Sequence, residues 1–168
     1  MMTLAEKFAR QRGRILRPDS YESDAIGSSS DAGQTIIEMF KCASSSLVVC
    51  EDFFMNKFPD ASHLAHLSRK FLQQEGVSLR IVFRDQDISA IGNSVQWQQL
   101  AEQYSENLSS YIAPDDLLSH DYPSYTIMDG HAYRFQGNRT CFLVSSDPDN
   151  RANLLQNFDE IVDRSIAL

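Results

Sequence analysis

The chain is short of positive charge, has few cysteines and has no long apolar run, and each shortage removes a class of function. Fifteen Lys and Arg against 23 Asp and Glu leave a formal charge of −8 over 168 residues. Sequence-independent binding to a phosphate backbone depends on clustered cations that release counterions, so broad nucleic-acid affinity is not expected. The exception is local, because Lys7, Arg10, Arg12, Arg14 and Arg17 crowd the N-terminus. No apolar stretch approaches the ~20 residues that span a bilayer, and the N-terminus lacks the apolar core of a secretory signal, so a soluble, cytoplasmic protein is expected. Cys42, Cys50 and Cys141 are an odd number without metal-ligand spacing. In their apolar contexts they read as reduced, buried small hydrophobes. No internal repeat is present.

What is there is an alternation of helical and strand periodicity within the length of one domain. Residues 3–12, TLAEKFARQR, can form a short helix with Thr3 as N-cap and Glu6 closing a capping box. From Pro18 to Gly33 the sequence PDSYESDAIGSSSDAG has the composition of a linker. The expected division is therefore a basic helix and flexible linker over 1–31 and a folded domain over 32–168. In the domain, Ile36, Ile37, Phe40 and Ala43 make one helical stripe, and SLVVCEDFF is a buried strand running into Glu51 and Asp52. ASHLAHLSRKFLQQEG is a helix with Leu64, Leu67, Phe71 and Leu72 facing in, Asp60 or Ser62 as cap and Gly76 as stop. VSLRIVFRD is a strand with Leu79, Ile81 and Phe83 on one face, ending at Arg84 and Asp85.

A helix around 94–104 carries Val95, Trp97, Leu100, Ala101 and Tyr104, and SSYIAP is a short strand. YTIMD and AYRFQG flank Gly130, CFLVSS follows as a strand, and a final helix turns Leu154, Leu155, Phe158, Ile161 and Val162 to the core. This order predicts an α/β domain on one mixed sheet, parallel first and antiparallel after residue 125. Ligands of open α/β sheets collect beyond the carboxyl ends of the parallel strands. Those ends carry Glu51, Asp52, Arg84, Asp85 and Asp87.

Residues 120–135, HDYPSYTIMDGHAYRF, hold two of the four histidines and an Asp-Gly turn between apolar strands. Together with the element order over 32–165, this stretch resembles one half of a phospholipase D-like superfamily enzyme, in which a strand motif His-x-Lys-x-x-x-x-Asp-Gly precedes a hairpin. It is similar to small bacterial members whose motif has decayed. The resemblance implies a single phospholipase D-like domain, a mixed sheet flanked by helices. In such enzymes the His attacks phosphorus, the Lys neutralises phosphate oxygens and the Asp orients and charge-tunes the His, with two motifs meeting across a twofold axis.

Counting back from Asp129, the His falls on Tyr122 and the Lys on Ser124. A phenol with an unperturbed pKa of about 10 is a poor nucleophile without a base, and serine carries no charge for phosphate. Moving the frame to His120 puts Tyr122 at the Lys position and Ile127 at the Asp position. The family's downstream Gly-Ser-x-Asn reads Gln136-Gly137-Asn138-Arg139. Tyr122, Ser124 and Asp129 are thus former motif positions, and no catalytic residue is assigned.

His120 and His131 flank the motif and are the fallback nucleophiles of a phosphodiesterase or nuclease whose active site is assembled from two chains. His63 and His66 lie three apart on a helix without an acidic third ligand nearby, so they read as surface histidines. No metal and no cofactor is expected. Arg134 either points into the cleft towards Asp129 or is a solvated strand residue. Glu51 and Asp52 are a paired acid that binds or orients, or simply a charged strand end. With Arg84, Asp85 and Arg134 they are the candidate binding residues. Trp97 and Phe53-Phe54 read as core or interface anchors. The function expected is a non-catalytic binding, regulatory or partner-interaction module that forms a homodimer. The alternatives are the two-chain phosphodiesterase and a small subunit of an assembly, docked through the basic N-terminal segment.

Overall fold

The computed structural model describes residues 25–28, 32–51, 60–114, 124–136 and 141–168, and of 25–28, 32, 85–87 and 141–144 the backbone alone. Its strands are β1 (Ala25–Ser28), β2 (Ser46–Cys50), β3 (Ser78–Phe83), β4 (Leu108–Ile112), β5 (Ser124–Met128), β6 (Ala132–Gln136), β7 (Cys141–Ser145) and β8 (Ile166–Ala167). The helices are α1 (Ala32–Cys42), α2 (Ala61–Leu72), α3 (Asp85–Gly92), α4 (Val95–Gln103) and α5 (Pro148–Asp163). All strands join one sheet in the order β1-β7-β6-β5-β2-β3-β4-β8. β2, β3 and β4 are parallel, and β5, β6, β7, β1 and β8 are antiparallel to their neighbours. The α/β class and the mixed sheet are those expected from the sequence.

The two-residue period of the strands builds two cores. Leu47 and Val49 of β2 with Leu79, Ile81 and Phe83 of β3 face α1 to α4, where Ile36, Phe40, Leu64, Phe71 and Trp97 pack on them. Val48, Cys50, Val82, Tyr125, Ile127 and Phe135 face the other way, against Leu154, Phe158 and Ile161 of α5. Three helix starts are fixed by side-chain caps. Asp60 accepts from the His63 amide at 2.9 Å, Ser94 from the Trp97 amide at 3.2 Å, and Asp147 from the Asn150 amide at 3.0 Å with Pro148 just inside the helix. Phe83 and Trp97 meet edge to face at 5.2 Å between centroids. Arg80, on the α5 side, stacks its guanidinium 4.9 Å from the Phe158 centroid and donates to Asp159 at 2.8 Å.

Several elements differ from the sequence expectation. β1 lies within the stretch read as linker and pairs with β7, so the sheet recruits residues ahead of the boundary placed at 31. AIGS is too short to show a strand period. β8 is shorter still, yet it pairs with β4, and the Leu168 amide donates to the Ser110 carbonyl at 2.9 Å. Asp85 and Asp87, expected as strand-end charges, stand in α3, a helix of two turns that offers too few apolar positions for a stripe. α2 ends on Gln73, and Gly76 (φ 74) lies beyond it in the turn to β3. Val95 is 59% exposed, Leu155 and Val162 are only partly buried, and Cys42 is exposed while Cys50 is buried. The basic segment before residue 25 lies outside the described residues.

Core and surface apolar side chains separate in a test. Phe158→Ala should lower the unfolding free energy by about 3–5 kcal/mol, as for other large-to-small aromatic core truncations. Val95→Ala should change it by no more than about 0.5 kcal/mol. Urea denaturation of both variants reads the difference; equal losses would place Val95 in a core.

Candidate functional site

Strand register gathers a polar cluster where the α1–α4 side of the sheet would otherwise be apolar. Thr126 of β5 stands opposite Val49 of β2, and Ser124 lies two residues away on the same face. Across the hairpin, Gln136 and Arg134 of β6 stand opposite Ser124 and Thr126. Ser124, Thr126 and Arg134 are all buried. Glu51, the residue after β2, joins them: Arg134 Nη1 donates to its Oε1 at 2.6 Å, and Thr126 Oγ1 donates to the same atom at 3.0 Å. Arg134 Nη2 donates to Gln136 Oε1. Both Arg134 and Glu51 have 0% side-chain exposure. Such a pair offsets its own desolvation only when geometry and further hydrogen bonds are good, and losing one partner leaves an uncompensated buried charge.

Arg84 arrives from the neighbouring strand end. It follows β3, is 3% exposed, and its Nη2 donates to Ser124 Oγ at 3.3 Å. Burial pushes the Cys50 thiol up to about 11, even though the nearby Arg84 guanidinium opposes the rise. On the α5 side, Tyr125 donates its hydroxyl to Asn157 Oδ1 at 2.7 Å. The cluster therefore sits at the carboxyl ends of β2 and β3, where the fold class collects ligands.

Asp129 is elsewhere and does something different. Its Oδ1 accepts from the amides of Ser44 (3.0 Å), Ser45 (2.7 Å) and Ser46 (3.1 Å) and from the Ser45 hydroxyl (3.1 Å). Oδ2 takes the Ser44 amide at 3.1 Å and the Ser44 hydroxyl at 3.3 Å. Burial alone would raise its pKa, but the backbone amides of Ser45, Ser46 and Ser44, with the Ser45 hydroxyl, hold the carboxyl below its ordinary value. Asp129 (φ 56) and Gly130 (φ 60) form the centre of a tight turn in which the His131 amide donates to the Met128 carbonyl at 3.0 Å. Positive φ at both central residues is the type I′ pattern that Asp-Gly favours.

Two expectations change accordingly. Arg134 faces Glu51 and not Asp129, because β6 alternation points it towards the end of β2 while Asp129 folds back on the start of that strand. Asp129 is not with the polar cluster: Ser124 and Met128 are four steps apart along β5, roughly 13 Å at about 3.3 Å per residue. His131 lies at the Asp129 end, exposed, its carbonyl accepting from Arg151 Nη1 at 2.8 Å. Tyr122, His120 and Asp52 lie outside the described residues, and Asp85 is described by its backbone alone. His63 is half-buried and His66 exposed on α2, and among the described residues no group of three His, Cys, Asp or Glu gathers as for a metal. Thr126 and Gln136 were not singled out in the sequence. The available signal was polar residues two apart on two apolar strands, Ser-x-Thr facing Arg-x-Gln.

No protein-family model matches the chain, and no curated protein matches it in sequence. Solved structures do match. TrmBL2, an archaeal chromatin protein with a novel mode of DNA binding, superposes with a TM-score of 0.68 at 14% identity over 97% of this chain. The chain spans 60% of the length of TrmBL2. Nuc from Salmonella typhimurium, a phospholipase D family member, matches with a TM-score of 0.56 at 9% identity over 87% of this chain and 97% of its own. The fold is phospholipase D-like. NucT from Helicobacter pylori (TM-score 0.56, 11% identity, 87% of this chain and 99% of its own) has the same architecture. Among the described residues, no helix is long and apolar enough to cross a membrane.

The two ends of β5 respond differently to mutation. Asp129→Asn keeps a residue that tolerates positive φ but removes charge-assisted acceptance, and should cost about 1–3 kcal/mol. Because the folded pKa lies below the ordinary 3.8, this stabilisation is fully present above that value and is lost as pH falls through the lowered pKa. Urea midpoints measured against pH should show that acid-dependent loss in the parent and not in Asp129→Asn. Glu51→Ala, which strands Arg134, should cost about 3–5 kcal/mol at neutral pH.

Proposed function

We propose that this chain is a non-catalytic phospholipase D-like domain that works by binding, as a regulatory or partner-interaction module. The observation that carries this reading is the state of the motif's lysine position. Ser124 stands there, buried, with its hydroxyl taken by Arg84. The motif's acid supports the same reading. Asp129 commits its carboxylate to the Ser44–Ser46 amides, at the opposite strand end from the polar cluster, and so does not itself orient a group there. The similarity to TrmBL2 over 97% of the chain supports an interaction role within a larger protein or assembly. A charge of −8 argues against this chain itself taking the phosphate backbone of DNA.

In this proposal the binding unit spans 32–168 with β1 added at its edge, and the basic segment ahead of it docks a protein partner. The unit pairs with a second copy about a twofold axis and acts in the cytoplasm. A two-chain phosphodiesterase is the weaker reading. The far-edge position of His131 counts against it, which leaves His120 as its nucleophile.

The full chain should release no p-nitrophenol from bis-p-nitrophenyl phosphate and should leave labelled single- and double-stranded nucleic acid intact. Turnover that disappears in His120→Ala would overturn the non-catalytic reading. Sedimentation should show a dimer, and a single monomeric species would remove the twofold pairing.

A further inference from the structure

We propose that Asp129-Gly130 is a latent modification site, a succinimide-forming dipeptide that the Ser44–Ser46 clamp holds shut while the hairpin is closed and that turns to isoaspartate once the hairpin opens. This goes beyond the binding reading and does not depend on it. The first ground is covalent. Of the seven glycines, Gly130 is the one that follows an aspartate, and none follows an asparagine. Glycine has no Cβ to shield its amide nitrogen and leaves the backbone around it free to rotate. In an open chain that nitrogen attacks the Asp129 Cγ, the amide proton and the hydroxyl of the neutral carboxyl leave as water, and a five-membered imide closes. Water then adds back at one of two bonds. Cleavage of the new Cγ–N bond restores aspartate, whereas cleavage of the original peptide C–N bond leaves the chain running through Cβ and Cγ, an isoaspartate with a free α-carboxylate.

The second ground is that the folded turn denies each requirement of ring closure. The leaving hydroxyl needs a neutral carboxyl, but both carboxylate oxygens here accept hydrogen bonds that favour the ionised form. Against the effect of burial, the Ser45, Ser46 and Ser44 amides hold the carboxyl below its ordinary value. The ring also needs the Asp129 Cβ to eclipse the Gly130 nitrogen about the Cα–C bond. Asp129 (φ 56) and Gly130 (φ 60) instead form the type I′ turn, whose first central residue takes a ψ of about 30°, far from that eclipse. The carboxylate, moreover, is oriented by donors more than eighty residues earlier, so it cannot swing to its own chain neighbour without breaking the clamp. Yet the turn lies at the surface, with Asp129 half-buried and Gly130 and His131 exposed, so a local opening of the hairpin is enough to start the reaction. The product then keeps the hairpin open. It adds a methylene to the backbone of a two-residue loop and moves the carboxylate onto Cα, one carbon short of its reach to Ser44–Ser46. The modification therefore marks a chain that has opened and removes the contact that sets the register of β5.

Peptide mapping of the full chain, incubated at neutral pH both native and in urea and sampled over days, tests this. A protease that cuts ahead of aspartate fails at isoaspartate and so reports position 129. In urea isoaspartate should build up at 129 ahead of every other aspartate. In the native chain it should form at least about tenfold more slowly, because the hairpin is open for a small share of the time. Ser44→Ala combined with Ser45→Ala keeps the three amides, removes both hydroxyl donors, and should raise the native rate while leaving the rate in urea unchanged. Because that variant can also lose stability, Phe158→Ala is the second probe. It weakens the core under α5 without touching the turn. At an equal unfolded fraction, set with urea and read by circular dichroism, it should form isoaspartate more slowly than the serine variant. No isoaspartate at 129 in urea, a native rate equal to the rate in urea, or equal rates in the two variants would overturn the proposal.

Discussion

The Asp129 carboxylate, clamped on the amides of Ser44, Ser45 and Ser46, fixes where β5 starts and stops against β2. The Asp129 amide in turn donates to the Ser46 carbonyl at 2.8 Å, so the turn and the strand start hold each other from both sides. From that anchor the register runs Leu47 to Met128, Val48 to Ile127, Val49 to Thr126 and Cys50 to Tyr125. A slip of one residue would invert every side chain on β5. Ser124 and Thr126 would then enter the apolar layer under α5, and Tyr125 and Ile127 would turn towards α1–α4. The clamp is therefore remote from the polar cluster and yet decides which residues compose it. It also explains the need for positive φ at residues 129 and 130, since only a tight turn brings the carboxylate back over the preceding strand's partner.

The polar cluster is a part of the sheet interior that hydrophobic burial does not explain. A pair of apolar side chains at positions 51 and 134 would have avoided the desolvation of two ions, and swaps of that kind are often neutral or stabilising. Arg134 and Glu51 are instead held by directed hydrogen bonds, through Thr126 and Gln136 on the same face. A network of that kind restrains its side chains.

Sequence periodicity revealed most of the scaffold and little of the cluster. Long stripes such as Leu64-Leu67-Phe71 and Leu154-Phe158-Ile161 are unambiguous because several turns repeat the same face. β1, β8 and α3 were not legible: four residues, two residues and a two-turn helix offer no period to count, and pairing across the sheet makes the strands. The α/β order and the Asp-Gly hairpin were legible, and with them the phospholipase D-like fold. The role of Asp129 was not. The resemblance implied an acid that orients a histidine, whereas its partners are backbone amides lying more than eighty residues earlier, marked only by a run of three serines. Arg134 was correctly placed on a strand face but given the wrong partner, because sequence alternation reports the face and not the position along it.

Arg84 and Ser124 are separated by forty residues, and no spacing rule connects them. They meet because β2 lies between β3 and β5, parallel to one and antiparallel to the other. That arrangement places the last residue of β3 and the first residue of β5 at the same edge of the sheet. This chain brings Arg84 from the end of β3 to the Ser124 hydroxyl at the start of β5. The electrostatics of such an edge are a property of the sheet order more than of any local sequence, since each strand end contributes one side chain to a shared volume. It follows that the charge gathered at this strand end is set by the sheet order and not by residue spacing along β5.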